Sequence, residues 1–558
     1  MLLSRREFLL DSAATGLFAP GIAQRSSQSG YPFQHGVASG DPLTDRVIIW
    51  TRITPPTSNN PVTCRWLMAT DVHLNNVVAE GYTTTTGQRD FTVKVDVEGL
   101  QPGSSYYYVF EALNQASDIG RTRTLPEGHV DHLRIAYTSC SNFAKGQFNV
   151  YRELAKRTDL DAVLHLGDYI YEYEDREDCI RTGRINEPLC EIQTLSDYRQ
   201  RHACYKRDRD LQAVHQQHPF LVIWDDHEIA NNAWKNQEGS GADNHDSETQ
   251  GDWKQRLSSG VQAYLEWMPI REQPDFNRGI YRNFRFGDLV DLSLLDTRLA
   301  GRDGPAETEQ ERFNESRSLL GSEQEQWFET CLTAAQQEGV TWKLTGQQVM
   351  VSQFGARELP LNLDQWDGYP AARNRLFDAV ERANADNWIV LTGDIHSSWA
   401  LELHRDPFEG ELDKPLGLEF VTPAVTSPGI ENEAKGLLAA TALDAVMPHL
   451  RFVDFFYRGY VLLDITPKRL QAEWWIVDSI ETHRYTSACL KAFQVPAGSN
   501  QMAPAMAESK AKNAPASAPV FDDSLAFMRP FMPSSSQQPH GSGESSLEEM
   551  IAGISAQR

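Results

Sequence analysis

The stretch LHLGDYIYEYE, residues 164–174, begins as an apolar run and stops at Gly167. Asp168 follows the glycine at once, and Tyr171 comes three residues later. A short apolar run that ends at a glycine is typical of a buried strand, so both side chains leave from a strand end. In open α/β sheets, ligands bind beyond the carboxyl ends of the strands. The stretch therefore predicts an α/β fold with a polar site at one edge of its sheet.

Other segments repeat this pattern of an apolar run followed by polar residues. They are HLRIAYTSC (132–140), PFLVIWDDHE (219–228), DLVDLSLLDTR (288–298), VTWKLTGQQ (340–348) and NWIVLTGDIH (387–396). Helix-like segments lie between them, at 146–157, 261–268 and 322–337. Buried strands interleaved with helices are typical of an α/β core. We therefore expect the polar strand ends to meet in one site.

Residues 33–125 show a different pattern. Short runs rich in β-branched and aromatic residues, at 46–53, 62–70, 91–97 and 105–113, are separated by turn residues. This spacing predicts a small all-β sandwich domain. The stretch VEGLQPGSSYYYVF (97–110) resembles the turn and tyrosine corner of fibronectin-like domains.

The two ends of the chain differ from both of these regions. Residues 1–30 hold the arginine pair Arg5 and Arg6, a mildly apolar stretch and a polar linker, which predicts a twin-arginine signal peptide. The expected partner is the twin-arginine export machinery, and the expected location is periplasmic or secreted. Residues 495–558 are rich in Pro, Ala, Ser and Gln, which predicts a mostly disordered tail with a short helix at 546–554.

Composition argues against nucleic-acid binding and membrane spanning, and it bears on how the cysteines can pair. The 558 residues carry a formal net charge of −25, and such an acidic chain is not expected to bind nucleic acid. No later apolar run is long enough to span a bilayer, so we expect no transmembrane segment in the mature protein. The seven cysteines leave at least one unpaired, and Cys179 and Cys190 flank a short loop that a disulfide could close.

The strand ends carry the chemistry. Each side chain alone has an ordinary explanation, such as a helix cap or a core cysteine. Together they offer thiolate, phenolate, imidazole, carboxylate and amide donors, which predicts a dinuclear metal site. The donors are Cys140, Asn142, Asp168, Tyr171, Asp225, Asp226, His227, Glu228, Asn231, Asn232, Asp394 and His396. Thiolate with phenolate favours ferric iron, and carboxylate and amide oxygens favour Ca²⁺, Mg²⁺ or Mn²⁺.

These motifs resemble a known superfamily. GDYIY resembles the GD-x-x-Y motif of calcineurin-like metallophosphoesterases in the purple acid phosphatase variant, and WDDHE and GDIH stand where that superfamily has its histidine motifs. HGVASGDP (35–42), VIIWTRITP, FVTPAVTSPG (420–429) and residues 458–478 are similar to PhoD-type alkaline phosphatases. The resemblance covers about 33–480. It implies an N-terminal β domain at 33–125 and a four-layer αββα metallophosphatase domain at 131–480.

The resemblance also implies roles for single residues. One Fe³⁺ would be held by Cys140, Asp168, Tyr171 and His396. Asp168 would bridge to a Ca²⁺ that also binds Asp226 and Asp394. The candidates for a second Ca²⁺ or for substrate binding are Asn142, Asp225, Asn231 and Asn232.

Two further residues are expected to act on the substrate. His227 matches a position that aids phosphate binding or protonation of the leaving group in the superfamily. Arg298 is a candidate phosphate ligand, because a guanidinium binds phosphate with two parallel hydrogen bonds; the alternative is a structural ion pair. Residues 364–373 are expected near the mouth of the site.

The sequence therefore predicts an exported alkaline phosphatase that uses a metal-bound hydroxide for in-line hydrolysis of a small phosphoester, with phosphodiesterase activity as an addition. A phospholipase D-type diesterase with the same metal centre is the alternative. A calcium-binding adhesion protein, with the β domain as its functional part, would be a rival of another class. A thiolate ligand must lose its proton to bind metal, which fits an alkaline working range.

Overall fold

The computed structural model describes residues 31–54, 60–235, 241–272, 279–357, 359–409, 412 and 414–519. The predicted signal peptide and the predicted helix at 546–554 lie outside the described residues. The strands, in chain order, are β1 (Val37–Gly40), β2 (Arg46–Arg52), β3 (Val62–Ala69), β4 (Val77–Thr85), β5 (Thr92–Glu98), β6 (Ser105–Ala112), β7 (Gln115–Ala116), β8 (Gly120–Arg123), β9 (Leu133–Thr138), β10 (Ala162–His165), β11 (Pro219–Val222), β12 (Arg282–Phe286), β13 (Val290–Leu294), β14 (Trp342–Gln347), β15 (Gly355–Ala356), β16 (Leu359–Pro360), β17 (Trp388–Thr392), β18 (Ser398–Leu403), β19 (Gly417–Val421), β20 (Leu450–Asp454), β21 (Arg458–Ile465), β22 (Arg469–Val477), β23 (Ser487–Pro496) and β24 (Ala503–Pro504).

The described residues form ten α-helices. They are α1 (Asn149–Lys156), α2 (Arg176–Thr182), α3 (Leu195–Lys206), α4 (Arg209–Gln217), α5 (Ser247–Gln250), α6 (Trp253–Trp267), α7 (Glu309–Arg312), α8 (Ser322–Gln337), α9 (Pro370–Arg382) and α10 (Glu433–Asp444). None of the described helices combines the length and the apolar character that a membrane crossing requires.

Two large sheets form the centre of the molecule. The first has ten strands in the order β24-β23-β22-β21-β9-β10-β11-β1-β2-β5, and β9, β10, β11 and β1 run parallel. The second has seven strands in the order β12-β13-β14-β17-β19-β18-β20, and β13, β14, β17 and β19 run parallel. The carboxyl ends of the parallel strands are the ends that carry the predicted site residues.

The two sheets pack face to face, and helices cover their outer faces. At Gly346 of β14, an added Cβ would lie 3.4 Å from Leu164 Cδ2 and 3.2 Å from Leu166 Cδ2, so the second sheet touches the strand β10 region directly. On one outer face the Tyr151 hydroxyl of α1 bonds His165 of β10 at 2.9 Å. On the other, Phe377 of α9 packs edge-on against Trp388 of β17. The predicted αββα architecture is confirmed.

The N-terminal strands form a sandwich, as the sequence predicts, but one of its sheets belongs to the larger fold. A second, five-stranded sheet holds β4, β3, β6, β7 and β8 and packs on β1, β2 and β5 through apolar side chains such as Ile49 and Phe110. The Tyr106 hydroxyl accepts a hydrogen bond from Gln101 N at 2.8 Å, the contact expected of a tyrosine corner. Because β1 pairs with β11, the hydrogen-bond ladder continues without a break from the sandwich into the α/β core.

The prediction of disorder from residue 495 is wrong for residues 495–519. Residues up to Pro496 belong to β23, and the chain then runs back along the core to the sandwich. The Tyr107 hydroxyl donates to Ala516 O at 2.5 Å, and the Gln217 side chain bonds both Ala518 O (2.8 Å) and Ala518 N (3.0 Å). The segment buries little apolar surface of its own. Core side chains instead form hydrogen bonds with its backbone N–H and C=O groups, and the composition of the segment does not reveal these contacts. Residues 520–558 lie outside the described residues.

The disulfide expected between Cys179 and Cys190 is absent, because both are free thiols. Cys179 is buried, and its sulfur accepts a hydrogen bond from Asn186 N at 3.3 Å. Cys190 is exposed. At the other end of the loop, Arg201 Nη2 donates to Pro188 O at 2.9 Å and to Cys190 O at 3.0 Å.

Candidate metal centre

Backbone turns at the strand ends aim the predicted ligands into one space. Cys140, Asp168, Asp394 and His396 all adopt left-handed backbone conformations, with φ of 61°, 54°, 63° and 54°. A non-glycine residue pays a conformational penalty there and keeps that conformation only when its surroundings demand it. Gly167 permits the turn before Asp168, since an added Cβ would lie 2.5 Å from Asp225 N. Such a cluster of strained residues is typical of a functional site.

The first half of the site, called here the Cys140 half, consists of Cys140, Tyr171 and His396. The Cys140 sulfur, a carboxylate oxygen of Asp168 and a ring nitrogen of His396 lie within 4.8 Å of one another. The Tyr171 hydroxyl donates to Asp168 Oδ2 at 2.9 Å and lies 3.2 Å from His396 Nε2. His396 Nδ1 lies 2.8 Å from Pro428 O, which fixes the proton on Nδ1 and turns Nε2 toward the cluster.

The second half, called here the Asp226 half, consists of Asp225, Asp226 and Asp394. Their carboxylates offer oxygens within 4.8 Å of one another, and Asp168 also lies within that distance of Asp226 and His227. Asp168 thus stands between the two halves. Among the described residues, the buried oxygens Asp225 Oδ2 and Asp226 Oδ1 have no hydrogen-bond partner, although Arg298 Nη2 lies 3.6 Å from Asp226 Oδ1. Buried carboxylate oxygens without a partner are costly, so this half is suited to a bound cation.

The two halves differ in their electrostatics. Burial raises the pKa of the Cys140 thiol and of the Tyr171 phenol well above their ordinary values, with Asp168 adding to both effects. Burial lowers the pKa of His396 to about 3, which keeps this ring neutral, the form that binds metals. Burial raises the pKa of Asp394 to about 6. Burial acts in the same direction on Asp226, but nearby cations outweigh it, and the pKa of Asp226 lies below its ordinary value.

One of those cations is Arg298, which is completely buried beneath the Asp226 half. Its Nε donates to Asp225 Oδ1 at 2.5 Å, its Nη1 to Asp364 Oδ1 at 2.9 Å and its Nη2 to Asp394 Oδ1 at 2.9 Å. Arg302 adds a second guanidinium on Asp364. With three carboxylates bound to its three nitrogens, Arg298 has the geometry of the ion-pair alternative rather than of a phosphate ligand.

The second cation is His227, which sits on a buried carboxylate that the sequence analysis missed. His227 Nδ1 lies 2.7 Å from Glu172 Oε2, and its ring stacks on Tyr171 with centroids 4.2 Å apart. His227 Nε2 lies 4.0 Å from Asp226 Oδ2. Burial alone would lower the pKa of His227, but Asp226, Glu172 and Asp168 raise it well above its ordinary value. The imidazole is therefore charged and faces the Asp226 half with Nε2.

The predicted asparagines mostly serve the loops around the site. Asn142 Oδ1 accepts from Ala144 N at 3.1 Å, and its Nδ2 donates to Asp175. Asn231 gives its backbone N–H to Glu172 at 2.7 Å. Asn232 gives its backbone N–H to Asp226 at 2.6 Å and its side-chain amide to Asp243.

Glu228 joins the two loops that carry the ligands. Its carboxylate accepts backbone hydrogen bonds from Asp168 N (3.1 Å), Tyr169 N (2.6 Å) and Asp225 N (2.8 Å). Glu172 and Glu228 both lie inside motifs quoted above. Nothing local in the sequence shows which backbone groups or ring each carboxylate contacts.

Comparisons with known proteins show the family of this chain. Residues 135–474 match the PhoD-like phosphatase family, and residues 19–126 match the N-terminal domain of PhoD-like phosphatases. Alkaline phosphatase D of Bacillus subtilis (strain 168) is 37% identical over 471 residues, which cover 80% of this chain and 78% of that protein. A solved structure described as "Structure of PhoD" aligns with a TM-score of 0.77 at 33% identity, over 88% of this chain and 95% of the other.

Proposed function

The chain belongs to the PhoD-like phosphatase family, and we propose that it is an exported, metal-dependent alkaline phosphatase that hydrolyses small phosphomonoesters, with phosphodiesters as secondary substrates. Family membership makes the chain a phosphoesterase. The metals, the export and the ester preference are the proposed part. The observation that carries the proposal is the convergence of the Cys140 half and the Asp226 half on Asp168, with two buried carboxylate oxygens left unpaired.

The donor set fits two different cations. We propose that Cys140, Asp168, Tyr171 and His396 hold one Fe³⁺, because thiolate and phenolate suit a strongly Lewis-acidic ion. We propose that Asp168, Asp226 and Asp394 hold a Ca²⁺, because carboxylate oxygens suit a hard ion. When bound, such a pair of metals would polarise the phosphoryl oxygens and activate a water as the nucleophile. Asp225 is a weaker candidate for a second Ca²⁺, since Arg298 already neutralises one of its oxygens.

His227 is the proposed general acid. The Glu172 carboxylate holds the Nδ1 proton of the ring and supports its positive charge, which leaves the Nε2 proton pointing toward the Asp226 half. A leaving alkoxide in that half can take the Nε2 proton as the phosphorus–oxygen bond breaks. Glu172 itself does not reach the substrate in this scheme; it acts through His227.

Arg298 is proposed to set charge rather than to bind phosphate. Its single positive charge bonds Asp225, Asp364 and Asp394 together and reduces the repulsion between these carboxylates. Gln365 adds a neutral donor, 2.7 Å from Asp394 Oδ2.

Export and domain division are also proposed. Arg5 and Arg6 would direct the folded protein to the twin-arginine export machinery, and the enzyme would act in the periplasm or outside the cell. Residues 33–125 would form the N-terminal domain and 131–480 the catalytic domain.

The test is metal analysis of the purified protein by mass spectrometry, followed by hydrolysis of p-nitrophenyl phosphate, bis-p-nitrophenyl phosphate and phosphatidylcholine. We expect iron with calcium and the fastest turnover with the monoester. Turnover of phosphatidylcholine alone would replace the proposal with the phospholipase D-type alternative. Zinc or manganese in place of iron would remove Cys140 and Tyr171 from the proposed iron site.

A further inference from the structure

Two buried serine hydroxyls touch the side chains of the Cys140 half. Ser427 Oγ lies 2.6 Å from the Tyr171 phenol oxygen, and Ser139 Oγ lies 3.1 Å from the Cys140 sulfur. Ser139 is 1% exposed and Ser427 is fully buried. Each of the two acidic protons of this half, on a thiol and on a phenol, therefore has a serine beside it.

Nearby hydroxyls behave differently. Ser141 Oγ donates to Tyr169 O at 2.9 Å, and Thr426 Oγ1 donates to Asn142 O at 2.6 Å. Those hydroxyls serve backbone carbonyls, as most buried serines and threonines do. Ser427 Oγ also lies 2.9 Å from a carbonyl, Cys140 O, but Ser139 and Ser427 differ from these two hydroxyls because each reaches a proposed ligand side chain.

The proton count decides what these hydroxyls do when a metal binds. In the free protein the Tyr171 hydroxyl donates a hydrogen bond to Asp168 Oδ2. If Cys140 and Tyr171 held an Fe³⁺, they would bind it as thiolate and phenolate, and their protons would pass to solvent. The phenolate oxygen can then only accept. Of the described side chains that bond this oxygen, Ser427 keeps a proton to give, since the His396 proton is held on Nδ1 by Pro428 O.

If the Ser427 hydroxyl rotates toward the phenolate, the carbonyl of Cys140 still has other hydrogen-bond donors. Ser427 Oγ also lies 2.9 Å from Cys140 O, so in the free protein its proton can point there. Cys140 O additionally receives the backbone N–H groups of Thr426 and Ser427, both at 3.2 Å. The hydroxyl can therefore rotate to the phenolate without exposing an unpaired buried acceptor. The Cys140 sulfur lies 3.1 Å from Ser139 Oγ and 3.8 Å from Asp394 O, and once the thiol had lost its proton the Ser139 O–H would donate to the sulfur.

We propose that Ser139 and Ser427 are positioning residues that donate hydrogen bonds to the thiolate of Cys140 and the phenolate of Tyr171 in the iron-bound enzyme. The inference rests on the proposed iron site. Each hydrogen bond would stabilise the anionic form of its ligand, which eases the loss of the proton on iron binding and also raises the energy of charge transfer from the ligand to Fe³⁺.

The experiment compares visible spectra and iron contents of the full-length protein and its Ser427→Ala and Ser139→Ala variants. Ser427→Ala is expected to move the phenolate band to longer wavelength and to weaken iron binding about tenfold against a chelator. Ser139→Ala is expected to move the thiolate band in the same direction. Thr426→Val is the matched control, because it removes a neighbouring buried hydroxyl that serves only a carbonyl, and its bands should not move.

The outcomes separate this inference from the proposed function. A wild-type protein that holds iron, shows both bands and hydrolyses p-nitrophenyl phosphate, while both alanine variants keep wild-type bands, overturns the inference and leaves the function standing. A wild-type protein without iron overturns the inference and the proposed iron site together. If the alanine variants do not fold, resonance Raman of wild-type protein in D₂O decides: phenolate vibrations that shift support the donor role of Ser427, and vibrations that stay unchanged contradict it.

Discussion

The two halves of the metal centre face each other across Asp168, but they differ in the protonation of their side chains and in the cations beside them. The Cys140 half consists of neutral groups, because burial raises the pKa of its thiol and phenol and lowers that of its imidazole. The Asp226 half instead has two cations, Arg298 and His227, beside its carboxyl groups; they lower the pKa of Asp226, whereas burial raises the pKa of Asp225 and of Asp394. A metal therefore has to displace protons from the first half, whereas in the second it has to compete with cations that the protein itself supplies.

The largest effect is expected where the halves meet. Asp168→Asn removes a carboxylate that both halves share, so both metals should be lost and phosphatase activity should fall at least about 10³-fold, the scale of losing a main electrostatic stabiliser. Activity and metal content of the same preparation check this. Asp464→Asn is the control, because Asp464 is equally buried but lies at the opposite end of the sheet, and it should keep its metals. Loss of only one metal in Asp168→Asn would break the idea of a shared ligand.

The second prediction concerns Arg298, the buried cation of the Asp226 half. Arg298→Met leaves Asp225, Asp364 and Asp394 without their common partner, so the free energy of unfolding should drop by about 3 kcal/mol in chelator. Added Ca²⁺ should restore part of that loss. Denaturant unfolding with and without Ca²⁺ measures both. Arg382→Met, at an exposed pair with Glu329, should change little. Wild-type stability of Arg298→Met in chelator would show that Arg298 does not compensate these carboxylates.

A substitution of His227 tests the Asp226 half through two substrates whose leaving groups differ. His227→Gln removes the proposed proton donor, so hydrolysis of an alkyl phosphate, whose leaving group needs a proton, should slow about 10²-fold. Hydrolysis of p-nitrophenyl phosphate should slow less, because nitrophenolate leaves without one. Glu172→Gln should show the same selectivity more weakly. Equal losses on both substrates would assign His227 to phosphate binding instead.

The pH dependence of metal binding also distinguishes the two halves. The pKa of the Cys140 thiol and that of the Tyr171 phenol are raised, so both groups are protonated near neutral pH and must lose protons to bind iron. Iron affinity should therefore rise with pH, up to about tenfold per pH unit for each proton released. Calcium affinity should rise less steeply, because the pKa of Asp226 is lowered and the pKa values that burial raises in this site, that of Asp394 to about 6 and that of Asp168, belong to carboxyl groups. Chelator competition between about pH 6 and 9 measures both slopes. Equal slopes would contradict the comparison.

The fold was predictable because its signals are local. Apolar runs that end in polar residues mark β9, β10, β11 and β17, and their parallel arrangement brings the ends together. The family motifs gave the enzyme class, which the relatives confirm. The assignment of individual site residues stays a prediction.

What the sequence did not reveal are contacts between distant segments. The carboxylate of Glu172 meets a ring 55 residues away, and the hydroxyl of Ser427 meets a phenol 256 residues away. The same holds for Ala518, whose partner Gln217 is 301 residues distant, so composition alone suggested disorder there. Such pairings depend on three-dimensional packing, which no periodicity or motif in one segment records.

The unbroken ten-stranded sheet has a consequence for solubility. Strand β1 occupies the hydrogen-bonding edge of β11, and β2 and β5 carry the sheet outward from there. A fragment that begins at residue 131 would expose the edge of β11, and an open strand edge recruits strands from other molecules. The N-terminal sandwich thus covers this edge and protects the protein from aggregation. The sandwich and the α/β core should therefore be inherited, expressed and engineered together.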